Sequence, residues 1–171
     1  MAPARVVVMG VSGCGKSTVG RSLAQALQVP YLEGDDLHPP CNVQRMAAGV
    51  ALTDEDRQGW LQTIASRLQA ATQGGVGLVV TCSALKRVYR DTLRAETPGL
   101  QFVYLHGDKA LLEQRMQQRQ GHYMPPSLLQ SQLQTLEPPG DDERPIRLDI
   151  AQAPQELVAA ARAQLKQLEQ A

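Results

Sequence analysis

Gly10-Val11-Ser12-Gly13-Cys14-Gly15-Lys16-Ser17 fits the pattern GxxxxGK[ST] at each fixed position. Glycines at that spacing let a loop turn successive backbone N–H groups toward one phosphate chain. The lysine then reaches the β and γ phosphates, and the hydroxyl of the last residue is placed to ligate Mg²⁺. The flanking sequence agrees. Arg5-Val6-Val7-Val8-Met9 is an apolar, β-branched run suited to a buried strand, and Val19, Leu23 and Leu27 recur every four residues after the lysine, as on one face of a helix. Gly10, Val11, Ser12, Gly13, Cys14, Gly15, Lys16, Ser17 and Thr18 are therefore candidate nucleotide contacts, and Ser17 is the candidate metal ligand.

Apolar runs recur near 5–9, 29–32, 76–82, 101–105 and 146–150, with helical patterns between them. That alternation predicts a five-stranded parallel sheet with helices on both faces. The interval from Thr53 to Ala71 places Trp60, Ile64, Leu68 and Ala71 on one stripe and carries a capping-box-like start at Thr53 and Asp56. A last helix after Pro154 puts Leu157, Ala161, Leu165 and Leu168 on one face. Two intervals break the scheme, Glu33 to Leu52 and Gln120 to Ser127, both rich in proline or glycine, and both read as mobile substrate-side segments.

The chain has 171 residues, about the length of one domain. Lysine plus arginine and aspartate plus glutamate each total 17, so there is no basic field for nucleic acid or an anionic membrane, and a small-molecule substrate is expected. Cys14, Cys41 and Cys82 show no CxxC or metal-like spacing and read as free thiols in a reducing, cytoplasmic setting. No signal peptide or membrane-length apolar run is expected.

Three clusters are candidates for the chemistry. Glu33 and Asp35 end the second strand, and strand alternation predicts that they point to the same side, one nearer a metal and one nearer an incoming hydroxyl whose proton it accepts. Lys86 and Arg90, four apart after the third strand, are expected on one helical face as a clamp for an anion. Arg115 and Arg119 repeat that spacing ahead of Gly121-His122, where arginines at the base of a lid can contact adenine and phosphate oxygens.

Together these stretches resemble the gluconokinases, small P-loop kinases akin to shikimate and nucleoside monophosphate kinases. The likeness rests on GVSGCGKS at 10–17, GDDLHPPCN at 34–42, LTDEDR at 52–57, CSALKRVYR at 82–90, RQGHYM at 119–124 and SQLQTLEPP at 131–139. It implies a nucleoside-monophosphate-kinase-like P-loop NTPase fold in a single domain, with a substrate-side helical segment at about 36–73 and a lid at about 119–127. It also implies ATP- and Mg²⁺-dependent phosphorylation of D-gluconate, often by a homodimer. Carried over by position, Lys16, Asp35 and Arg119 are the catalytic candidates, with Asp35 as the substrate-orienting base. His38, Arg57, Lys86 and Arg90 would line the sugar-acid pocket with Asp35, and His122 would sit on the lid. Gly59, Glu33 and Arg45 depart from residues frequent in the family, and the extra methylene of Glu33 leaves its metal contact open. An adenylylsulfate kinase would lack CSALKRVYR, and a GTP switch would need an NKxD motif that is absent.

Overall fold

The structure is a computed structural model that describes residues 3–118 and 127–170. Strands β1 (Arg5–Met9), β2 (Tyr31–Glu33), β3 (Leu78–Thr81), β4 (Gln101–His106) and β5 (Ile146–Asp149) form one sheet in the order β2-β3-β1-β4-β5, with every pairing parallel. Successive strand side chains point to opposite faces, and Val6, Val7, Val8 and Met9 are all fully buried, so both faces are covered at β1. Helices α1 (Lys16–Leu27) and α7 (Pro154–Gln170) pack on each other and against β3 and β5, while α3 (Asp54–Gln73) packs with α4 (Arg87–Arg94) and against β1 and β3. The remaining helices are α2 (Pro40–Ala47), α5 (Lys109–Gln118) and α6 (Ser127–Thr135). Among the described residues no helix is long and apolar enough to cross a membrane.

The helix expected at 53–71 begins where its cap predicts. Thr53 Oγ1 accepts from the Asp56 N–H at 3.1 Å, and Asp56 Oδ2 accepts from the Thr53 N–H at 3.0 Å. The second strand starts two residues later than the apolar run suggests. Gln28 takes a left-handed φ of 58° and the Val29 N–H bonds back to Ala24 O at 3.0 Å, so residues 28 and 29 finish α1. The segment between Glu33 and Leu52 holds a 3₁₀ turn over Gly34–Leu37 and then α2.

One sequence expectation fails for reasons of packing. Arg90, expected to clamp an anion, has a side chain only 1% exposed. Its Nε and Nη2 donate to Glu143 Oε1 and Oε2 at 2.8 and 3.0 Å, and its Nη1 donates to Ala84 O at 2.8 Å. Ala84 stands at φ 47°, a left-handed conformation that costs a non-glycine residue energy, and the guanidinium holds that turn closed after β3. Arg90 is thus a tie between the end of β3 and the segment before β5.

Burial pushes the Glu143 carboxyl up, but hydrogen bonds from Arg90, Arg94 and the Gly140 N–H outweigh it and bring its pKa down to about 2 from an ordinary 4.5. Between those values the unfolded chain binds the extra proton, so this contribution to stability is complete above pH 4.5 and is lost as pH falls toward 2. Replacing Arg90 by Met removes the buried carboxylate's bidentate partner and leaves it with Arg94 and the Gly140 N–H alone. Urea unfolding at pH 7 is expected to show a loss of about 3–5 kcal/mol; a midpoint equal to the parent's would show that the pair contributes nothing.

Candidate active site

The loop leaving β1 is built as its glycines predict. Gly13 and Gly15 stand at φ 86° and 90°, and a Cβ on Gly13 would meet Met116 Cγ at 2.7 Å. Gly15 is the N-cap of α1 and offers no side chain to its first-turn N–H groups, which stay available to a phosphate with the positive end of the helix behind them. Lys16 Nζ donates to Gly10 O at 3.0 Å and Val11 O at 3.1 Å, which arches it across the loop. The cleft over this loop is lined by Ser12 through Val19, Asp35, Arg115, Pro154 and Leu157. Arg115 is tied to Ile150 O at 2.6 Å. Pro154 and Leu157 were not foreseen as lining residues, since one marks a helix start and the other an apolar stripe; their signal is the position just past the carboxyl end of β5. Arg119, His122 and nearly all of the expected lid lie outside the described residues.

The acidic corner corrects the alternation argument. Strand β2 ends at Glu33, and the chain turns at once because Gly34 lies against β3, where a Cβ would fall 1.8 Å from Thr81 O. The Gly34 N–H donates to Thr81 Oγ1 at 3.1 Å, and Gly34 O accepts from Trp60 Nε1 at 2.7 Å. Asp35 therefore reaches the cleft from a pinned 3₁₀ turn rather than from a continued strand. Glu33 takes a separate role. Its Oε2 accepts from Ser17 Oγ at 2.6 Å and from the Tyr31 hydroxyl, and its Oε1 accepts from Thr81 Oγ1 at 2.9 Å. Burial would raise its pKa, but the three hydroxyl donors and the Lys16 charge offset this and hold it below the usual carboxylate range. With the Ser17 proton committed to Glu33, the hydroxyl oxygen presents lone pairs to the cleft. Hydroxyl and carboxylate oxygens are the donor set that suits Mg²⁺. Among the described residues no group of three or more His, Cys, Asp or Glu is placed to hold a metal ion.

A second cleft adjoins the first. It is lined by Ser12, Lys16, Asp35, His38, Met46, Leu52, Arg57, Trp60, Ser83 and Gln132, so Ser12, Lys16 and Asp35 border both. The His38 ring stacks on Trp60 with centroids 4.0 Å apart and planes 16° from parallel. Burial, reinforced by the Arg57 charge, lowers its pKa from 6.5 to about 4. Asn42 Nδ2 lies 3.3 Å from His38 Nδ1 and also donates to Asp56 O at 2.8 Å; an amide donor there favours the tautomer with its proton on Nε2. Arg57 is nearly buried, its Nη1 donating to the Tyr89 hydroxyl at 3.0 Å.

Lys86 does not join this cleft. It is the N-cap of α4, at φ −105° and ψ 150°, so the four-residue spacing to Arg90 does not set the two on one helical face. Its Nζ pairs with both Asp54 oxygens at 2.9 and 3.1 Å. Cys14 is buried in the loop and Cys82 at the end of β3, where desolvation pushes the Cys82 thiol up to about 12. Trp60, Ser83, Met46, Leu52 and Gln132 were missed as lining residues. The only signals for them were the LTDEDR, CSALK and SQLQTLEPP stretches, which contain or adjoin most of them.

Two adjoining clefts that meet at a phosphate-loop lysine and a carboxylate define a P-loop kinase that acts on a small acceptor. A family model described as an AAA domain matches residues 6–139. A gluconokinase of Gluconobacter oxydans is 51% identical, the match covering 85% of this chain and 82% of that one. The thermoresistant gluconokinase of Escherichia coli is 41% identical over 91% and 89% of the two chains. The crystal structure of a gluconokinase from Sinorhizobium meliloti superposes with a TM-score of 0.88 at 50% identity, covering 98% and 94%. The chain belongs to the gluconokinase family.

Because its pKa is depressed, His38 is neutral at physiological pH. Titration by NMR, with the signal assigned through His38→Asn, is expected to give a midpoint near pH 4. A midpoint at 6.5 would show the ring to be solvated and unstacked.

Proposed function

We propose that this chain transfers the γ phosphate of ATP to the primary hydroxyl of D-gluconate, giving 6-phospho-D-gluconate. The observation that carries the reading is the shared border of the two clefts at Ser12, Lys16 and Asp35. A phosphate chain entering from the loop side and a hydroxyl from the other side would meet at that border. The acceptor cleft has the chemistry a polyhydroxylated carboxylate needs. Arg57 offers a guanidinium for the carboxylate, and neutral His38 and anionic Asp35 offer partners for hydroxyls.

In this mechanism Lys16 releases its loop carbonyls and moves onto the β and γ oxygens, where it stabilises charge as transfer proceeds. Asp35 holds the attacking hydroxyl in line and takes its proton as the bond to phosphorus forms. Mg²⁺, which Ser17 would hold with Glu33 behind it, supplies charge neutralisation on the phosphates. Arg115 would contact the nucleotide, and roles for Arg119 and His122 in a lid near 119–127 complete the proposal. We further propose that the chain works as a single cytoplasmic domain, with its acceptor-binding segment at about 36–73, in a homodimer and without nucleic-acid or membrane partners; light scattering tests the dimer.

ADP release with Mg²⁺-ATP is expected to depend on gluconate and to be silent with shikimate, adenylylsulfate, AMP or no acceptor, with Lys16→Ala as blank. Turnover with another acceptor alone would overturn the substrate. Asp35→Asn is expected to lower kcat by roughly 10²–10⁴-fold with ATP binding nearly unchanged; a near-normal kcat removes Asp35 as base. Arg57→Ala should chiefly raise the gluconate KM, and Lys86→Ala should raise it much less, because Lys86 is already paired with Asp54. Equal effects of the two would place Lys86 at the acceptor after all.

A further inference from the structure

The SQLQTLEPP stretch has no part in the mechanism so far, yet its helix is fixed at three places around the transfer point. At its start Leu128 packs with Met46 and Leu52 of the acceptor-side segment. Just beyond its end the Glu137 N–H donates to Leu85 O at 2.7 Å, and Glu137 Oε1 accepts from the Arg87 N–H at 3.0 Å. Between these anchors, Gln132 Oε1 accepts from the backbone N–H of Ser12 at 2.7 Å. Both partners are buried, Ser12 at 4% and Gln132 at 9% exposure.

We infer that Gln132 is a positioning residue for phosphoryl transfer, acting through Ser12 to fix the end of the phosphate loop where the γ phosphate meets the acceptor. The inference rests on the proposed kinase reading of the two clefts. The γ phosphate is the end of the chain nearest the acceptor, so it is bordered by the residues common to both clefts, of which Ser12 is one. The Ser12 N–H is already taken by a side chain, so the loop offers its phosphate-facing N–H groups from Gly13 onward. Gln132 thereby sets where that row of donors begins. It also lines the acceptor cleft itself, and α6 joins the acceptor-side segment to the loop through one rigid turn of helix.

Two substitutions separate this role from a structural one. Gln132→Glu keeps an oxygen to accept from Ser12 and adds a negative charge at the meeting point. In equilibrium binding without gluconate, affinity for the β,γ-imido analogue of ATP is expected to fall by at least roughly tenfold while ADP changes less than about twofold. Gln132→Met keeps the volume and removes the acceptor; kcat for gluconate is expected to fall roughly tenfold with both KM values within about threefold. Equal changes for the two nucleotides in the first variant, or a parental kcat in the second, would overturn the inference. Gluconate-dependent turnover by the parent protein, measured alongside, tests the kinase reading separately.

Discussion

Strand β1 has a parallel partner on each side and is sealed on both faces, so its position has no slack. The loop that leaves it must start from a fixed point, between the ends of β3 and β4. A Cβ at Gly10 would meet Leu105 O of β4 at 2.6 Å, and the Gly10 N–H bonds to Ser83 O beyond β3 at 3.3 Å. The phosphate loop is thus hung between two neighbouring strands. The rest of the site is arranged around it: α1 begins where the loop ends, and the carboxyl ends of β2 and β3 supply the acids and the turn that face it.

The corner at β2 shows how a buried charge is made useful. Glu33 lies among three hydroxyls, from Ser17, Tyr31 and Thr81, which compensate its desolvation without neutralising it. One residue later the chain must change direction, because only glycine fits against Thr81 O. Two carboxylates two residues apart are therefore divided between jobs by a backbone constraint. Glu33 orients the Ser17 hydroxyl, and Asp35 faces the space where the clefts meet.

Much of this was legible in the sequence because it is local. A phosphate loop is written in consecutive residues, parallel strands are continuous apolar runs, and the α3 cap is a four-residue pattern. The misreadings share a different cause. Arg90 looked like a ligand-binding cation because its partner, Glu143, is 53 residues away, and nothing near Arg90 announces that a carboxylate will be buried against it. Lys86 was placed on a helical face that begins one residue after it. Gln132 and Trp60 meet the loop and the acidic corner across 120 and 26 residues, respectively. Their side chains read as ordinary helix positions until the sheet brings those segments together.

Trp60 is the chain's one tryptophan, and it is held in the wall of the second cleft on two sides, through its ring to His38 and through its indole N–H to Gly34 O. The protein's indole emission therefore originates in the wall of that cleft, next to an imidazole and one residue from Asp35. Changes in the indole emission report from that wall. The fold carries its own optical probe, already seated in the wall of the second cleft and requiring no label.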